Sequence, residues 1–272
     1  MLIIFLIWRQ NTIYNDIIGD IMARVIGIVS GKGGVGKTTI ALNLGVAFSQ
    51  YMRRNVTLVD CNLTTSHLGL SIGLHNPNIT LNHVLRGESD IEESIHQHFT
   101  GLKIIPASIF LSDLDHVDIT KLRENLDAIS HKNDIIILDA GPGLGREAVA
   151  TLKASDEVIY VAIPYVPSVV DVVRCQEVAN EIGATSIGVI LNMKTKDKHE
   201  MTKNEIEYST NLPVISTIPF DKHVGRSLSM KTPVVVYKPR SPASREFFRL
   251  SSTLTGIPYP ESRGFFRRIR FW

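Results

Sequence analysis

One stretch of eight residues, Gly31–Thr38, constrains the fold of this chain more than any other part of its sequence. Its sequence, Gly-Lys-Gly-Gly-Val-Gly-Lys-Thr, matches the pattern G-x-x-x-x-G-K-[ST]. Glycines permit positive φ angles, so that backbone N–H groups can close around phosphate oxygens, and a following helix adds its positive N-terminal end. Background amino-acid frequencies give such a match in about one chain of this length in a hundred. The pattern therefore predicts a phosphate-binding loop between a strand and a helix.

Short β-branched runs alternate with amphipathic stretches from Ala23 onward. Continuous apolar runs are typical of strands that are covered on both faces. The predicted strands are Val25–Ser30, Asn55–Asp60, Lys103–Pro106, Asp134–Asp139, Glu157–Ile163, Ser186–Asn192 and Val214–Ile218. The predicted helices are Lys37–Gln50, Thr120–Ser130, Gly145–Ala154, Ser168–Glu181, Thr202–Ser209 and Ser241–Leu254. The alternation predicts an α/β fold with a doubly wound, mainly parallel sheet flanked by helices.

Two side chains of the loop and two aspartates have predicted roles at the phosphates. We expect Lys37 to reach the β- and γ-phosphates and the Thr38 hydroxyl to bind Mg²⁺. Asp139 ends a buried apolar strand, and Asp60 ends the second strand in the same way. The carboxyl ends of strands form the ligand-binding edge of open α/β sheets, where such an aspartate holds the metal, usually through water. The alternative for either aspartate is that it only caps a loop.

The segment Ser30–Thr39 resembles the deviant Walker A motif of the MinD/ParA class of ATPases, because Lys32 adds a second lysine early in the loop. The similarity extends from about Met22 to Gly256 and is strongest to archaeal MinD-like proteins. It implies a P-loop ATPase that binds ATP and Mg²⁺ and forms an ATP-dependent homodimer. In that class the additional lysine reaches the nucleotide of the partner subunit, where a second cation stabilises charge on the transferring group. The resemblance implies nucleotide contacts at Gly31, Lys32, Gly33, Gly34, Val35, Gly36, Lys37, Thr38 and Thr39.

Four further segments carry the resemblance. Leu58–Gly69 resembles the first switch region of the family, and Asp139–Ala148 resembles the second. Near the ends of two later strands, one asparagine matches the residue that binds adenine in the family, and Ile218–Asp221 resembles the later base-side loop. The residues that we expect on the base side are Asn192, Pro219 and Asp221.

Two positions depart from the family pattern. Asn62 stands where relatives usually have an aspartate that positions or activates the attacking water, and an amide can orient water but cannot take its proton. We therefore expect ATP hydrolysis that is slow or depends on a partner. The expected catalytic residues are Lys32, Lys37, Asn62 and Asp139. Gly141 replaces the proline usual in the second switch, which would loosen that loop.

The C-terminal tail carries the basic character of the chain. Its last twelve residues include four arginines and one glutamate, a net +3, so that the rest of the chain sums to −1. On a helix, with about 100° per residue, its apolar side chains fall within an arc of roughly 120° opposite most of the arginines. Such a face suits an anionic membrane interface, and MinD proteins end in a short amphipathic membrane-targeting helix. The predicted membrane contacts are Phe265, Phe266, Arg267, Arg268, Ile269, Arg270 and Trp272.

The alternatives for the tail are docking on its own domain or on a partner, and nucleic-acid binding. The predicted division of the chain is an N-terminal extension at 1–21, an ATPase domain at 22–256, and a linker with the membrane-targeting tail at 257–272. The apolar run Met1–Trp8 is far shorter than the roughly twenty residues that cross a bilayer. We expect residues 1–21 to be a dispensable extension or the result of a misplaced start, and the functional alternative is a second membrane or partner anchor. Cys61 and Cys175 are far apart without a CxxC pair, which argues against a disulfide scaffold or an iron–sulfur carrier and favours the cytoplasm.

The resemblance implies a MinD-like ATPase that cycles between the cytoplasm and the inner face of the cell membrane and positions cell-division or other machinery. Its expected partners are a second copy of itself, the anionic membrane surface, and an unidentified activating or cargo protein. A ParA-like ATPase that partitions DNA is the first alternative, although the near-neutral core disfavours it. A slowly hydrolysing, nucleotide-gated scaffold is the second, because of Asn62.

Overall fold

One sheet forms the centre of the protein in a computed structural model that describes residues 22–259. Its eight strands follow the order β3-β4-β2-β5-β1-β6-β7-β8. All neighbours are parallel except β3 and β4, which are antiparallel. The strands are β1 (Arg24–Val29), β2 (Val56–Cys61), β3 (His96–Gln97), β4 (Lys103–Ile105), β5 (Ile135–Ala140), β6 (Glu157–Ala162), β7 (Thr185–Lys194) and β8 (Val214–Pro219). The predicted fold class is confirmed.

Helices cover both faces of the sheet. Within the described residues they are α1 (Lys37–Val46), α2 (Leu68–Ser71), α3 (Leu81–Leu85), α4 (Leu122–Ser130), α5 (Arg146–Ala154), α6 (Val166–Ile182), α7 (Lys203–Thr210), α8 (Lys222–Ser229), α9 (Val234–Tyr237) and α10 (Pro242–Thr255). The α1 helix continues into a wider π-helical turn at Ala47–Tyr51. Because parallel strands need crossover connections, most of these helices link one strand to the next.

Strand β5 shows how the sequence produces two hydrophobic layers. Successive side chains of a strand point to opposite faces. Ile135 and Ile137 join the cluster formed with α1, α9 and α10, whereas Ile136 and Leu138 join the cluster formed with α3, α4 and α5. All four side chains are buried, which is why the strand has a continuous rather than an alternating apolar sequence.

Every predicted strand and helix has a counterpart in the structure, and the differences concern short elements. The sequence missed β3, a two-residue edge strand, because two residues carry no periodic signal. It also missed helices of four to eight residues, for which one or two turns give too little amphipathic repeat. These are α2, α3, α8 and α9.

The described chain ends beside α10. Ile257 and Tyr259, at the start of the predicted linker, pack against the core, and the Tyr259 ring stacks on Phe248 with centroids 5.1 Å apart. The predicted extension at 1–21 and the predicted membrane contacts Phe265–Trp272 lie outside the described residues. Within residues 22–259, none of the helices combines the length and apolar character needed to cross a membrane.

Candidate functional site

The phosphate-binding loop connects β1 to α1 at the carboxyl edge of the sheet. Its last glycine, Gly36, adopts a left-handed conformation with φ of +94° and forms the N-cap of α1. A Cβ at this position would lie 2.4 Å from the Nδ2 atom of Asn192, so that only glycine fits. No side chain caps α1 and its first turn has no acidic residue. The unsatisfied N–H groups and positive end of the helix are therefore directed at the loop, as an anion requires.

Lys37 is held inside this loop. The side chain is buried, and its Nζ atom donates to the Ser30 hydroxyl at 2.9 Å. Burial lowers the pKa of the ammonium group, and the negative charge of Asp139 partly offsets that effect. Ser30 in turn donates to the Lys32 carbonyl oxygen at 2.7 Å, which ties the lysine to the loop backbone. The amine is thus positioned beneath the loop before any ligand arrives.

Asp139 is the most unusual side chain of the site. It is 1% exposed, and neither carboxylate oxygen has a hydrogen-bond partner within 3.5 Å among the described residues, although the Thr38 side chain is close enough to lower its pKa by hydrogen bonding. Burial, followed by the charge of Asp60, raises its pKa to about 7, and the nearby Thr38 and Lys37 side chains only partly oppose this. Buried polar groups normally have partners, so that a buried carboxylate with open oxygens fits a site that binds a cation.

Asp60 lies beside Asp139 but is differently surrounded. The two are register partners on the neighbouring strands β2 and β5. Asp60 accepts hydrogen bonds from the Ser66 hydroxyl at 2.7 Å and the backbone N–H of Asn62 at 3.1 Å. Burial raises its pKa to about 6. Mg²⁺ prefers hard oxygen donors, and the open oxygens of Asp139 with the Thr38 hydroxyl fit it better than the occupied oxygens of Asp60.

The loop after Asp139 packs on the phosphate-binding loop. The Gly143 N–H donates to the Ser30 carbonyl oxygen at 3.1 Å, and a Cβ on Gly33 would lie 3.8 Å from Pro142. The two loops are therefore in contact at the carboxyl edge of the sheet. This edge brings together the phosphate-binding loop, Lys37, the two aspartates and Asn62.

Comparison with known proteins identifies the family of this site. A family profile described as an AAA domain matches residues 23–183. An uncharacterised ATP-binding protein of Methanocaldococcus jannaschii is 34% identical over 239 residues, covering 88% of this chain and 90% of that protein. The crystal structure of the cell division ATPase MinD of Pyrococcus furiosus covers 87% of this chain and 100% of its own, with a TM-score of 0.83 and 30% identity. The chain belongs to the MinD/ParA family of P-loop ATPases.

A second MinD structure adds ligand information. MinD of Pyrococcus horikoshii, complexed with Mg-ADP, is 32% identical, has a TM-score of 0.81, and covers 85% of this chain and 95% of its own. The predicted resemblance to the MinD/ParA class, and to archaeal MinD-like proteins within it, is confirmed. ATP hydrolysis is the general activity of this family.

Asn62, which departs from the usual MinD aspartate, is bound within its own loop. Its Nδ2 donates to the Thr65 carbonyl oxygen at 2.7 Å, and its Oδ1 accepts from the Thr65 hydroxyl at 2.9 Å. The two bonds hold the amide against Thr65 and leave its second N–H and the second lone pair of Oδ1 available to orient a water molecule.

The three residues expected at the base have distinct surroundings. Asn192 is buried, and its Nδ2 donates to the Val35 carbonyl oxygen at 2.8 Å, so that it braces the phosphate-binding loop. Asp221 caps α8 by accepting from the His223 N–H at 2.9 Å, and its second oxygen accepts from the Ala243 N–H at 3.2 Å. Pro219 is half-buried at the end of β8. The amide of Asn192 is thus hydrogen-bonded to the phosphate-binding loop, and the carboxylate of Asp221 stabilises the starts of α8 and α10.

The sequence did not single out three residues of the site. Ser30 holds Lys37, Ser66 holds Asp60, and Glu147 of α5 accepts from the Thr64 N–H at 2.9 Å. For Ser30, its place directly before the motif was an available signal. Ser66 is only six residues from Asp60, but the two are joined by a loop that has no periodic signal. Glu147 is 83 residues from Thr64 and lies in the other switch region, so that nothing in the sequence indicated their contact.

Proposed function

We propose that this chain is a MinD-like ATPase whose ATP-dependent dimerisation controls reversible attachment to a membrane and thereby positions cell-division or other cellular machinery. ATP and Mg²⁺ are its ligands. The observation that carries the proposal is the buried, unpartnered carboxylate of Asp139 directly beside the phosphate-binding loop. An unpaired buried carboxylate is costly, and a bound cation removes that cost.

Each residue of the site has a definite task in this proposal. The loop N–H groups and Lys37 bind the β- and γ-phosphates, and the buried position of Lys37 strengthens its attraction to them. Thr38 and Asp139 hold Mg²⁺, which neutralises charge on the phosphates. Lys32, which is half-buried, serves the nucleotide of the partner subunit. Since one site is then completed by two copies, ATP favours the dimer.

Dimerisation explains how a weak tail becomes a switch. Each arginine near an anionic surface contributes roughly 1 kcal/mol, and each large apolar side chain roughly 1.5–3 kcal/mol at full burial. Ordering the backbone costs about 1–2 kcal/mol per residue, which offsets much of this. A single short tail therefore binds marginally, whereas two tails on one dimer gain avidity of about 10²–10⁴.

The test of the proposal is cosedimentation of the full chain with anionic liposomes in ATP, in ADP and without nucleotide. We expect binding in ATP only. Equal binding in all three conditions would make the tail a constitutive anchor, and absence of binding in all three would contradict the membrane role. DNA added in place of liposomes tests the ParA-like alternative in the same assay.

Two variants locate the contact in the tail. Phe265→Glu with Ile269→Glu should abolish sedimentation in ATP, because charges would enter the acyl boundary. Phe271→Glu is the matched control, since this residue falls off the predicted apolar face. ATP binding should be unchanged in all of them. Equal loss in the control would show that the helical face is wrongly assigned.

A nucleotide-gated scaffold with little hydrolysis is the second candidate function. It is favoured by Asn62, because an amide can orient the attacking water but cannot take its proton as a carboxylate could. If the protein is a scaffold, membrane release after ATP should be as slow as after a nonhydrolysable analogue. Asn62→Asp should then accelerate release in ATP alone, with Asn62→Ala as the control that lacks a carboxylate. Fast release of the unmodified protein in ATP would exclude the scaffold.

A further inference from the structure

One carboxylate joins the two switch regions. Glu147, the second residue of α5, lies in the second switch (Asp139–Ala148). Its Oε1 atom accepts from both the backbone N–H and the hydroxyl of Thr64, at 2.9 and 2.6 Å. Thr64 belongs to the first switch (Leu58–Gly69), 83 residues away in the chain. Hydrogen bonds to a charged acceptor are stronger than neutral ones, so that this pair holds the two regions together.

Gly141 leaves the space that Glu147 occupies. A Cβ on Gly141 would lie 2.7 Å from Oε2 of Glu147 and 3.3 Å from its Cβ. The first of these distances is shorter than real Cβ contacts, so that a larger residue would displace the carboxylate. The same position lies 3.7 Å from Oδ1 of Asn62. Gly141, Glu147 and Asn62 therefore meet at one point between the switches.

The contact between Glu147 and Thr64, here called the clamp, is connected to the two aspartates of the site through short segments of chain. Asn62 is two residues from Thr64, and its N–H donates to Asp60 at 3.1 Å. Gly141 is two residues from Asp139, the carboxylate proposed to hold Mg²⁺. A contact that fixes the relative position of Thr64 and Gly141 consequently fixes Asn62 relative to Asp139.

We propose that Glu147 is a positioning residue for ATP hydrolysis, which holds the first switch against the second and so sets the place of Asn62 at the site. Gly141 leaves free the volume that the Glu147 side chain occupies in this arrangement. The kinetic part of this inference rests on the proposed ATPase function. The clamp itself is a property of the fold and can be tested without hydrolysis.

The test compares Glu147→Ala with Glu147→Gln in the full chain. Glutamine keeps an oxygen that accepts from Thr64, whereas alanine removes it. Amide hydrogen exchange at Thr64, followed by NMR, should accelerate roughly tenfold to a hundredfold in the alanine variant and within about threefold in the glutamine variant. With Mg-ATP, kcat should fall about tenfold in Glu147→Ala while KM stays nearly constant, because positioning acts on the chemical step.

Gly141→Ala supplies an independent check. In the unmodified background it should reproduce the faster exchange at Thr64 and the lower kcat, because its Cβ displaces Glu147. In the Glu147→Ala background it should add little, since the obstructing carboxylate is gone. If the effects of the two substitutions on exchange and kcat are additive, Gly141 and Glu147 act independently, which would contradict the conclusion that a Cβ at position 141 acts by displacing Glu147.

The outcomes distinguish this inference from the proposed function. Unchanged exchange at Thr64 in Glu147→Ala would overturn the clamp, whatever the protein hydrolyses. A glutamine variant as impaired in kcat as the alanine variant would overturn positioning in favour of a charge or proton-transfer role. If the unmodified protein hydrolyses no ATP but Thr64 exchanges as expected, the proposed ATPase function fails and the clamp between the switches stands.

Discussion

Replacing Asp139 with asparagine should make the nucleotide-free protein more stable at pH 8 while removing its response to Mg-ATP. The carboxylate is 1% exposed and its oxygens have no hydrogen-bond partner among the described residues. Asparagine has nearly the same shape without the charge. The change therefore isolates the cost of keeping an ionised group at this place in the sheet.

The magnitude follows from the pKa of Asp139, which burial and the charge of Asp60 raise from 3.8 to about 7. Each pKa unit corresponds to about 1.4 kcal/mol, so that the upper limit is about 4 kcal/mol. The two aspartates share part of this cost, and a buried amide without partners itself costs about 1–3 kcal/mol. We expect a net gain in the free energy of unfolding of about 1–3 kcal/mol. For a protein of this size that corresponds to a rise in Tm of about 2–4 °C per kcal/mol.

The pH dependence has a definite sign. Because the folded-state pKa of Asp139 is raised, the folded protein binds this proton more tightly than the unfolded chain does. Asp139 therefore costs no stability below about pH 4, and the cost grows as the pH rises to about 7 and is complete above it. The stability gain of the asparagine variant should be near zero at pH 4 and full at pH 8.

Urea unfolding of both proteins at pH 4 and pH 8, without nucleotide, measures this difference. The exposed Asp115→Asn is the control and should change stability little at either pH. Saturating Mg-ATP should stabilise the unmodified protein and leave the Asp139 variant unchanged. A variant no more stable than the unmodified protein at pH 8, or equally stabilised at pH 4, would refute the assignment of Asp139 as an uncompensated buried charge.

Three further substitutions test the loop. Gly36→Ala should destabilise the protein by roughly 2 kcal/mol in urea unfolding, because φ is +94° and the new Cβ would lie 2.4 Å from Asn192. If the main role of Asn192 is its hydrogen bond to Val35, Asn192→Ala should weaken the binding of ATP and of GTP equally, by about fivefold in calorimetry. A loss of affinity confined to ATP would instead support a contact between Asn192 and adenine. Lys32→Ala should keep ATP affinity within about threefold but abolish the ATP-dependent dimer in analytical ultracentrifugation.

The sequence predicted those features of the site that depend on the local backbone, namely the phosphate-binding loop and the ends of the strands. The glycine pattern of the loop indicated phosphate binding, and the apolar runs before Asp60 and Asp139 placed both aspartates at strand ends. That the two strands are neighbours in the sheet is known only from the structure. The sequence could not reveal that Asp60 is hydrogen-bonded and Asp139 is not. That difference depends on Ser66, whose position is set by a loop and not by a periodic element.

Gly141 is a second example of a residue whose role could not be predicted from the sequence. In the sequence it was a departure from the family pattern without a functional consequence. Its meaning depends on Glu147, six residues later, whose carboxylate turns back over the start of α5 towards Thr64. Local propensity contains no information about such a contact, because it joins two loops whose relative position is set by the sheet. The role of Gly141 therefore becomes interpretable only in three dimensions.

The places where the described chain begins and ends constrain how nucleotide binding can act at a distance. Arg24, at the start of β1, donates to the Leu254 carbonyl oxygen near the end of α10 at 3.0 Å. Both ends therefore lie at the amino edge of the sheet, whereas the phosphate-binding loop follows the carboxyl end of the same strand. At about 3.3 Å per residue, the six residues of β1 separate the two edges by roughly 20 Å. Asp139 and the end of the described chain thus lie at opposite edges of the sheet. In the proposed cycle, dimerisation would need no path of side chains between them, because it would change only how many tails are joined, and avidity would carry the nucleotide signal across the molecule.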